Sequence, residues 1–220
     1  VSKVRLIGVT KPVEETSIAK NANDLVAYVA RVSNPANQNN PQTAGKLIKY
    51  LIKNKHWSPF EMVHVVMEIS TTRDISRQIL RHRSFSFQEF SQRYAAVGDT
   101  FYTDREARLQ DTSNRQNSIE VDDAELHEEF AKKQAEVCDI AKAAYKWALD
   151  SGIAKEQARV FLPEGLTETK LYMAGSLRSW IHYCELRMKN GTQKEHMEIA
   201  TDCWNIICNN FPAVSEAFDA

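Results

Sequence analysis

Between Arg73 and Tyr94 the chain carries five arginines, Arg73, Arg77, Arg81, Arg83 and Arg93, against two acids, Asp74 and Glu89. Guanidinium groups packed this closely repel one another, so something anionic has to offset them. The segment begins as a helix. At roughly 100° per residue, Arg73, Arg77 and Arg81 fall within an arc of about 80°, with Ile75 and Ile79 nearly opposite. The isoleucines can then face a core while the three guanidinium groups share one exposed stripe. After His82-Arg83 the helical period breaks. Ser84-Phe85-Ser86-Phe87 alternates like an extended segment, and Gln88 to Tyr94 mixes hydrogen-bonding side chains with Phe90 and Tyr94.

Arginine offers a planar fork of donors that fits phosphate in a bidentate way and stays charged at any working pH. A hydroxyl such as Ser91 beside Arg93 adds a neutral donor to the same kind of site. The plain alternative is a solvated helix face with intrahelical ion pairs. Acids for such pairing are scarce nearby, and the arginines run on past the helix into a loop of Ser, Gln, Glu and aromatic residues. A site for a phosphorylated ligand is therefore expected. Two rivals stay open. One is a module for RNA or single-stranded nucleic acid, with Phe85, Phe87, Phe90 and Tyr94 stacking on bases. The other is a helical scaffold with no ligand.

At 220 residues, 43% hydrophobic and 26% charged, the chain has material for one core, or at most two small domains. Its net charge of −1 argues against nucleic-acid binding through a bulk positive field, and Glu89 inside the basic window weighs the same way. No apolar run approaches the roughly 20 residues that span a bilayer, and the opening VSKVRLIGVTKPVEET is too weakly apolar for a signal peptide. A cytoplasmic protein is expected. The four cysteines, Cys138, Cys184, Cys203 and Cys208, form no CxxC pair and read as buried free thiols. With seven glycines there is neither GxGxxG nor GxxxxGK[ST], so side chains would have to hold the phosphates of any dinucleotide. No metal-ligand spacing is present.

Taken in order, Val4–Val9 reads as a strand. A helix capped at Asn23-Asp24 runs to about Val32, Asn37–Pro41 is a loop, and Thr43 opens a second helix to about Lys55. In the turn His56–Glu61, Pro59 holds Ser58 out of the α region with its hydroxyl and amide available. Met62–Ile69 reads as a strand feeding the arginine helix, with His64 a sheet or core residue. Ala95–Ile119 reads as a long loop with one short helical turn at most. Asp122–Asp150 is a helix ended by Ser151-Gly152, and Ala154–Val160 is a shorter one. Thr169–Met188 reads as a single apolar helix carrying Arg178, His182 and Arg187. Thr192 caps the last helix, which Phe211-Pro212 ends.

Arg81-His82-Arg83, Ser86, Glu89, Ser91 and Arg93 reproduce the pattern RHRxxSxxExSxRY, and in this the chain resembles the flavin-dependent thymidylate synthases, the ThyX family. The likeness extends from Ser58-Pro59-Phe60-Glu61 through Ala158–Pro163 to Arg187. Met62 stands where the family commonly has histidine, and Ser176 where it usually has asparagine, though serine can still donate a hydrogen bond. No cysteine lies in a Pro-Cys turn like that of the cysteine-dependent thymidylate synthases, which agrees with a family that uses no cysteine nucleophile.

The resemblance implies an α+β fold over residues 1–220, one domain with a small, mostly antiparallel sheet flanked by long helices. It implies methylation of dUMP to dTMP, with 5,10-methylenetetrahydrofolate as carbon donor and FAD, reduced by NADPH, as hydride carrier. Residues implied at FAD are Ser58, Arg81, His82, Arg83, Glu89, Ser176, Leu177, Arg178 and His182. At dUMP they are Gln78, Ile79, Leu80, Arg81, Glu89, Phe90, Ser91, Gln92, Arg93, Arg159 and Arg187, with Arg187 the catalytic group at the uracil N3/O edge. The family also implies a homotetramer whose neighbouring subunits share each site.

Overall fold

The computed structural model describes residues 3–13, 19–98 and 102–218. Along them run β1 (Lys3–Val9), α1 (Ala22–Ala30), α2 (Ala44–Lys53), β2 (His64–Thr72) and α3 (Arg73–Ile79). Then come β3 (Ser86–Glu89), β4 (Arg108–Gln110), β5 (Ser118–Glu120), α4 (Ala124–Asp150) and the short α5 (Lys155–Ala158). The last elements are β6 (Glu168–Ser176), α6 (Leu177–Arg187), α7 (Lys194–Asn210) and α8 (Pro212–Phe218).

Four strands form an antiparallel sheet in the order β1-β2-β6-β3. The two inner strands pair along their whole length, from His64 opposite Ser176 to Thr72 opposite Glu168. Alternation sorts their side chains: Val65, Met67, Ile69, Leu171 and Met173 are buried on one face. Against that face pack Ile75 and Ile79 of α3, Trp180, Ile181 and Cys184 of α6, and Ile199, Cys203 and Ile207 of α7. Each large apolar side chain fully buried this way contributes about 1.5–3 kcal/mol. The indole of Trp180 also donates to the Val65 carbonyl at 3.1 Å, so its one polar atom enters the core satisfied.

Each inner strand runs without a loop into a helix, β2 into α3 and β6 into α6. Because the strands are antiparallel, the two helices start at opposite ends of the sheet. Both pack on its buried face, and the end of α6 meets the turn after α3. That convergence positions the site.

The α+β class with an antiparallel sheet is as expected; several boundaries are not. Thr169–Met188 is no single helix, since its first half is β6. Thr169, Leu171, Met173 and Gly175 are buried while Glu168, Lys170 and Tyr172 are exposed, a period of two that the apolar second half obscured. The 102–119 stretch contains no helical turn; β4 and β5 pair as an antiparallel ribbon. The α1 cap is Asn21, whose side chain accepts from the Asp24 amide at 2.9 Å, and α4 is capped by Asp123. Gln193, not Thr192, precedes α7, and no side chain caps it. Phe211-Pro212 ends α7 as expected, but α7 is not the last helix, because Pro212 opens α8 at the position where a missing N–H costs nothing. Gly152, at φ +77°, ends α4 as its sequence suggested. Cys138, Cys184 and Cys203 are buried free thiols, and Cys208 is half-buried.

Candidate active site

The five arginines of the basic segment divide into two groups. Arg73 is only 15% exposed and turns toward Glu89, with Nη1 at 3.6 Å from Oε1. Arg77 pairs with Glu164, and Arg93 with Glu156 at 3.3 Å. Arg81 and Arg83 are exposed and have no carboxylate or hydrogen-bond partner among the described residues. The shared exposed stripe is therefore not formed. The α-helix stops at Ile79, so Arg81 lies beyond its end, and acids distant in sequence neutralise its neighbours.

Those same acids leave Arg159 uncompensated. Glu156 and Glu164, its nearest candidates in sequence, are taken by Arg93 and Arg77, and Arg159 keeps one bond, Nε to the Glu156 carbonyl at 3.2 Å. Arg187 also has no carboxylate partner among the described residues. Its Nε donates to His82 Nε2 at 2.9 Å. Burial, and then the charge of Arg187, lower the His82 pKa to about 4, so its ring is neutral and Nε2 is free to accept. The ring rests edge-on against Tyr183, with centroids 4.9 Å apart.

Other expected residues lie on α3, in β3 and just after it. Gln78 on α3 donates from Nε2 to Gln193 Oε1 at 2.7 Å. Ser91, half-buried, follows the exposed Phe90. Gln92 is 4% exposed, and its Nε2 has no partner among the described residues. Such a buried donor normally requires a bond, so a missing ligand or water is its natural complement. Glu89 is engaged within the chain, accepting from Ser76 Oγ at 2.8 Å and Thr169 Oγ1 at 2.9 Å.

A second cluster lies where β6 passes into α6. Ser84, Ser176, Ser179, Arg178, His182 and Glu61 line an open groove of about 360 Å³. Ser176 is the N-cap of α6, accepting from the Ser179 amide at 3.3 Å. Arg178 pairs with Glu61 at 2.6 Å, and His182 stands edge-on to Trp57 at 4.7 Å. Glu61 is held below its usual pKa, first by a hydrogen bond from Ser176 and further by Arg178. Ser58 is exposed at the start of a 3-10 turn, Ser58–Met62. Leu177 and Ile79 bring no side chain to either cluster, since both are fully buried; Leu80 is half-buried. A larger cleft of about 710 Å³ holds only Phe90 of the expected residues and is walled by Glu168, Lys170, Arg105 and Glu195.

Comparison with known proteins decides what this geometry serves. A family profile described as "Thymidylate synthase complementing protein" matches residues 13–213. The chain belongs to the flavin-dependent thymidylate synthases. It is 49% identical over 217 residues to the flavin-dependent thymidylate synthase of Synechocystis, covering 98% of this chain and 99% of that one. It is 48% identical over 215 residues to a protein of Paramecium bursaria Chlorella virus 1 described as a probable flavin-dependent thymidylate synthase, covering 98% of each. Among solved structures, a UMP/dUMP methylase, PolB from Streptomyces cacaoi, bound with 5-Br dUMP, superposes with a TM-score of 0.83 at 26% identity, over 100% of this chain and 95% of that one. Flavin-dependent methylation of dUMP to dTMP is the activity of the family.

A flavin-dependent thymidylate synthase has to grip FAD and a nucleotide, and the residues here fit both. Arg81, Arg83, Arg159 and Arg187 have no carboxylate partner among the described residues, and the hydroxyl- and imidazole-lined groove supplies neutral donors. Of the aromatic residues of the nucleic-acid reading, Phe90 and Tyr94 are exposed, but Phe85 and Phe87 are not displayed for stacking. Phe85 packs on Trp180 at 4.9 Å, and Phe87 lies against the core.

Sequence reasoning missed several residues at this candidate site. Tyr183, Gln193 and His196 were passed over inside apolar or capping patterns. Arg105, Arg108 and Glu195 form a largely buried ion-pair cluster, with Glu195 at 2.9 Å from Arg105 and 2.6 Å from Arg108. One signal was legible: a histidine three residues before Ile199, on the face of α7 that carries the core.

Proposed function

We propose that the two clusters divide the work of the thymidylate synthase reaction. Ser58, Arg81, His82, Arg83, Ser176, Arg178 and His182 hold FAD, with Glu89 and the Leu177 backbone beside it. Gln78, Leu80, Arg81, Glu89, Phe90, Ser91, Gln92, Arg93, Arg159 and Arg187 hold dUMP, with Ile79 behind them in the core. FAD, when bound and reduced by NADPH, supplies the hydride that completes the methyl group delivered by 5,10-methylenetetrahydrofolate. Positioning and electrostatics are the protein's own contribution.

The observation that carries this reading is the bond from Arg187 to the neutral ring of His82 at 2.9 Å, on a guanidinium with no carboxylate among the described residues. With Nε fixed, the two terminal amino groups of Arg187 remain free to donate. Placed at the N3/O edge of uracil, they favour its ionised form, and the extra electron density makes C5 the stronger nucleophile. No cysteine is needed for attack, and three of the four are buried. The chain functions as one domain, in the cytoplasm, within a homotetramer whose neighbouring subunits complete each site. Exposed guanidinium groups and an open, shallow groove support a site completed from outside the single chain.

Replacing Arg187→Ala tests the assignment. Turnover is expected to be abolished while the flavin absorbance of the purified protein is retained. Near-normal turnover refutes it.

A further inference from the structure

His196 is fully buried on α7, and both of its ring nitrogens are engaged. Nδ1 lies 3.2 Å from Gln78 Oε1, and Nε2 lies 3.1 Å from the Tyr183 hydroxyl. Burial above all, with the charge of Arg187 adding to it, lowers its pKa to about 3, so the ring is neutral and carries a single N–H.

Which nitrogen holds that proton is fixed from a distance. Glu195 is held by Arg105 and Arg108, and its carboxylate can only accept. Gln193 therefore turns its amino group to Glu195, with Nε2 at 3.0 Å from Oε2, and its carbonyl to Gln78. Gln78 in turn gives Nε2 to Gln193, at 2.7 Å, and presents Oε1 to His196. Two acceptors cannot face each other, so the His196 proton is on Nδ1, and Nε2 receives the hydrogen of the Tyr183 hydroxyl. Each amide in the relay has one permitted direction. Gln78 keeps one N–H and one carbonyl lone pair unused, pointing in fixed senses.

We infer that His196 is a positioning residue for the nucleotide: it closes a hydrogen-bond relay, Glu195–Gln193–Gln78–His196–Tyr183, whose direction Glu195 sets and whose far end His196 holds, keeping the Gln78 amide fixed toward dUMP. This rests on the assignment of Gln78 to dUMP proposed above. The relay also ends on the ring against which His82, the partner of Arg187, is packed.

The test uses the FAD-loaded protein and dUMP itself. His196→Phe keeps a ring of similar size without a donor, and His196→Asn restores an N–H in place of Nδ1. For His196→Phe, the KM and calorimetric Kd for dUMP are expected to rise about tenfold while kcat at saturating dUMP stays within about twofold. Flavin absorbance should be unchanged. His196→Asn should recover most of the loss. In a Gln78→Ala background, His196→Phe should add less than about twofold, because the group it positions is gone.

Full additivity of the two losses, or an unchanged dUMP affinity in His196→Phe alongside a weakened one in Gln78→Ala, overturns the inference. A Gln78→Ala protein that binds dUMP normally overturns the site assignment beneath it, which is a distinct result. Should His196→Phe not fold, Tyr183→Phe removes only the hydroxyl and is read the same way. About threefold weaker dUMP binding supports the relay, and unchanged binding sinks it.

Discussion

Arg73 and Arg187 carry the same group to different ends. Arg73 is tucked beside Glu89, a structural pairing, whereas Arg187 is held through Nε by a neutral imidazole and has no carboxylate partner among the described residues. That neutrality has a cost in acid. The pKa values of His82 and His196 fall to about 4 and about 3 in the folded chain, against about 6.5 for a histidine in an unfolded one. As pH drops below about 6.5 the unfolded state takes up these protons first, so stability is full above that point and declines toward pH 4. Below the folded values both states are protonated and this contribution levels off. Melting temperature followed from pH 7 to pH 4.5 should fall more steeply for the native chain than for His196→Asn, which has no imidazole to charge. Parallel slopes in the two proteins contradict this linkage.

At the scale of elements, the strand-to-helix junctions do the positioning, and one of them depends on a glycine. A Cβ at Gly175 would overlap the ring of Phe85, which lies over the end of β6. Phe85 in turn packs edge-on against Trp180 at 4.9 Å and Tyr183 at 5.9 Å. It immediately follows the segment bearing His82 and Arg83, so displacing the ring displaces the proposed FAD-binding residues. Gly175→Ala should cost about 1–3 kcal/mol through overpacking, seen as a drop of a few degrees in melting temperature, together with weaker FAD retention. A variant that melts and binds FAD like the parent shows that the loop accommodates the methyl group. Ser176 illustrates the same dependence. In capping α6 it ties a position of the proposed FAD cluster to the start of the helix that ends in Arg187.

Taken whole, the molecule leaves an apolar stripe facing outward. On α4, Leu126, Phe130, Val137, Ile140 and Trp147 recur at spacings of three, four and seven, and Ile140 and Trp147 are 72% and 60% exposed. The neighbouring face of the helix, with Cys138, Ala141 and Tyr145, is buried against its own chain. A seam of this period on a helix about 40 Å long is suited to packing against another helix. It gives the proposed homotetramer a surface to assemble through. Ile140→Asp should shift the sedimenting species toward smaller assemblies and lower turnover with it, if neighbouring subunits share sites. A tetramer that persists unchanged removes α4 from the interface.

Local chemistry, legible in the chain alone, determined much of this protein. Alternating β-branched residues marked β2, Gly152 marked the end of α4, and the dense arginines with Ser91 marked the region proposed to bind phosphate. Tertiary structure decided which arginines remain available. Glu164 and Glu156 neutralise Arg77 and Arg93 from about 87 and 63 positions away, distances over which sequence pattern is silent but a folded chain brings charges into contact. The same holds for β6, whose strand character arises from partners on β2 and β3 while its own composition flows into a helix. His196 is the sharpest case. Nothing in its neighbours along α7 names Gln78 or Tyr183, and only packing three helices together gives its single proton a direction.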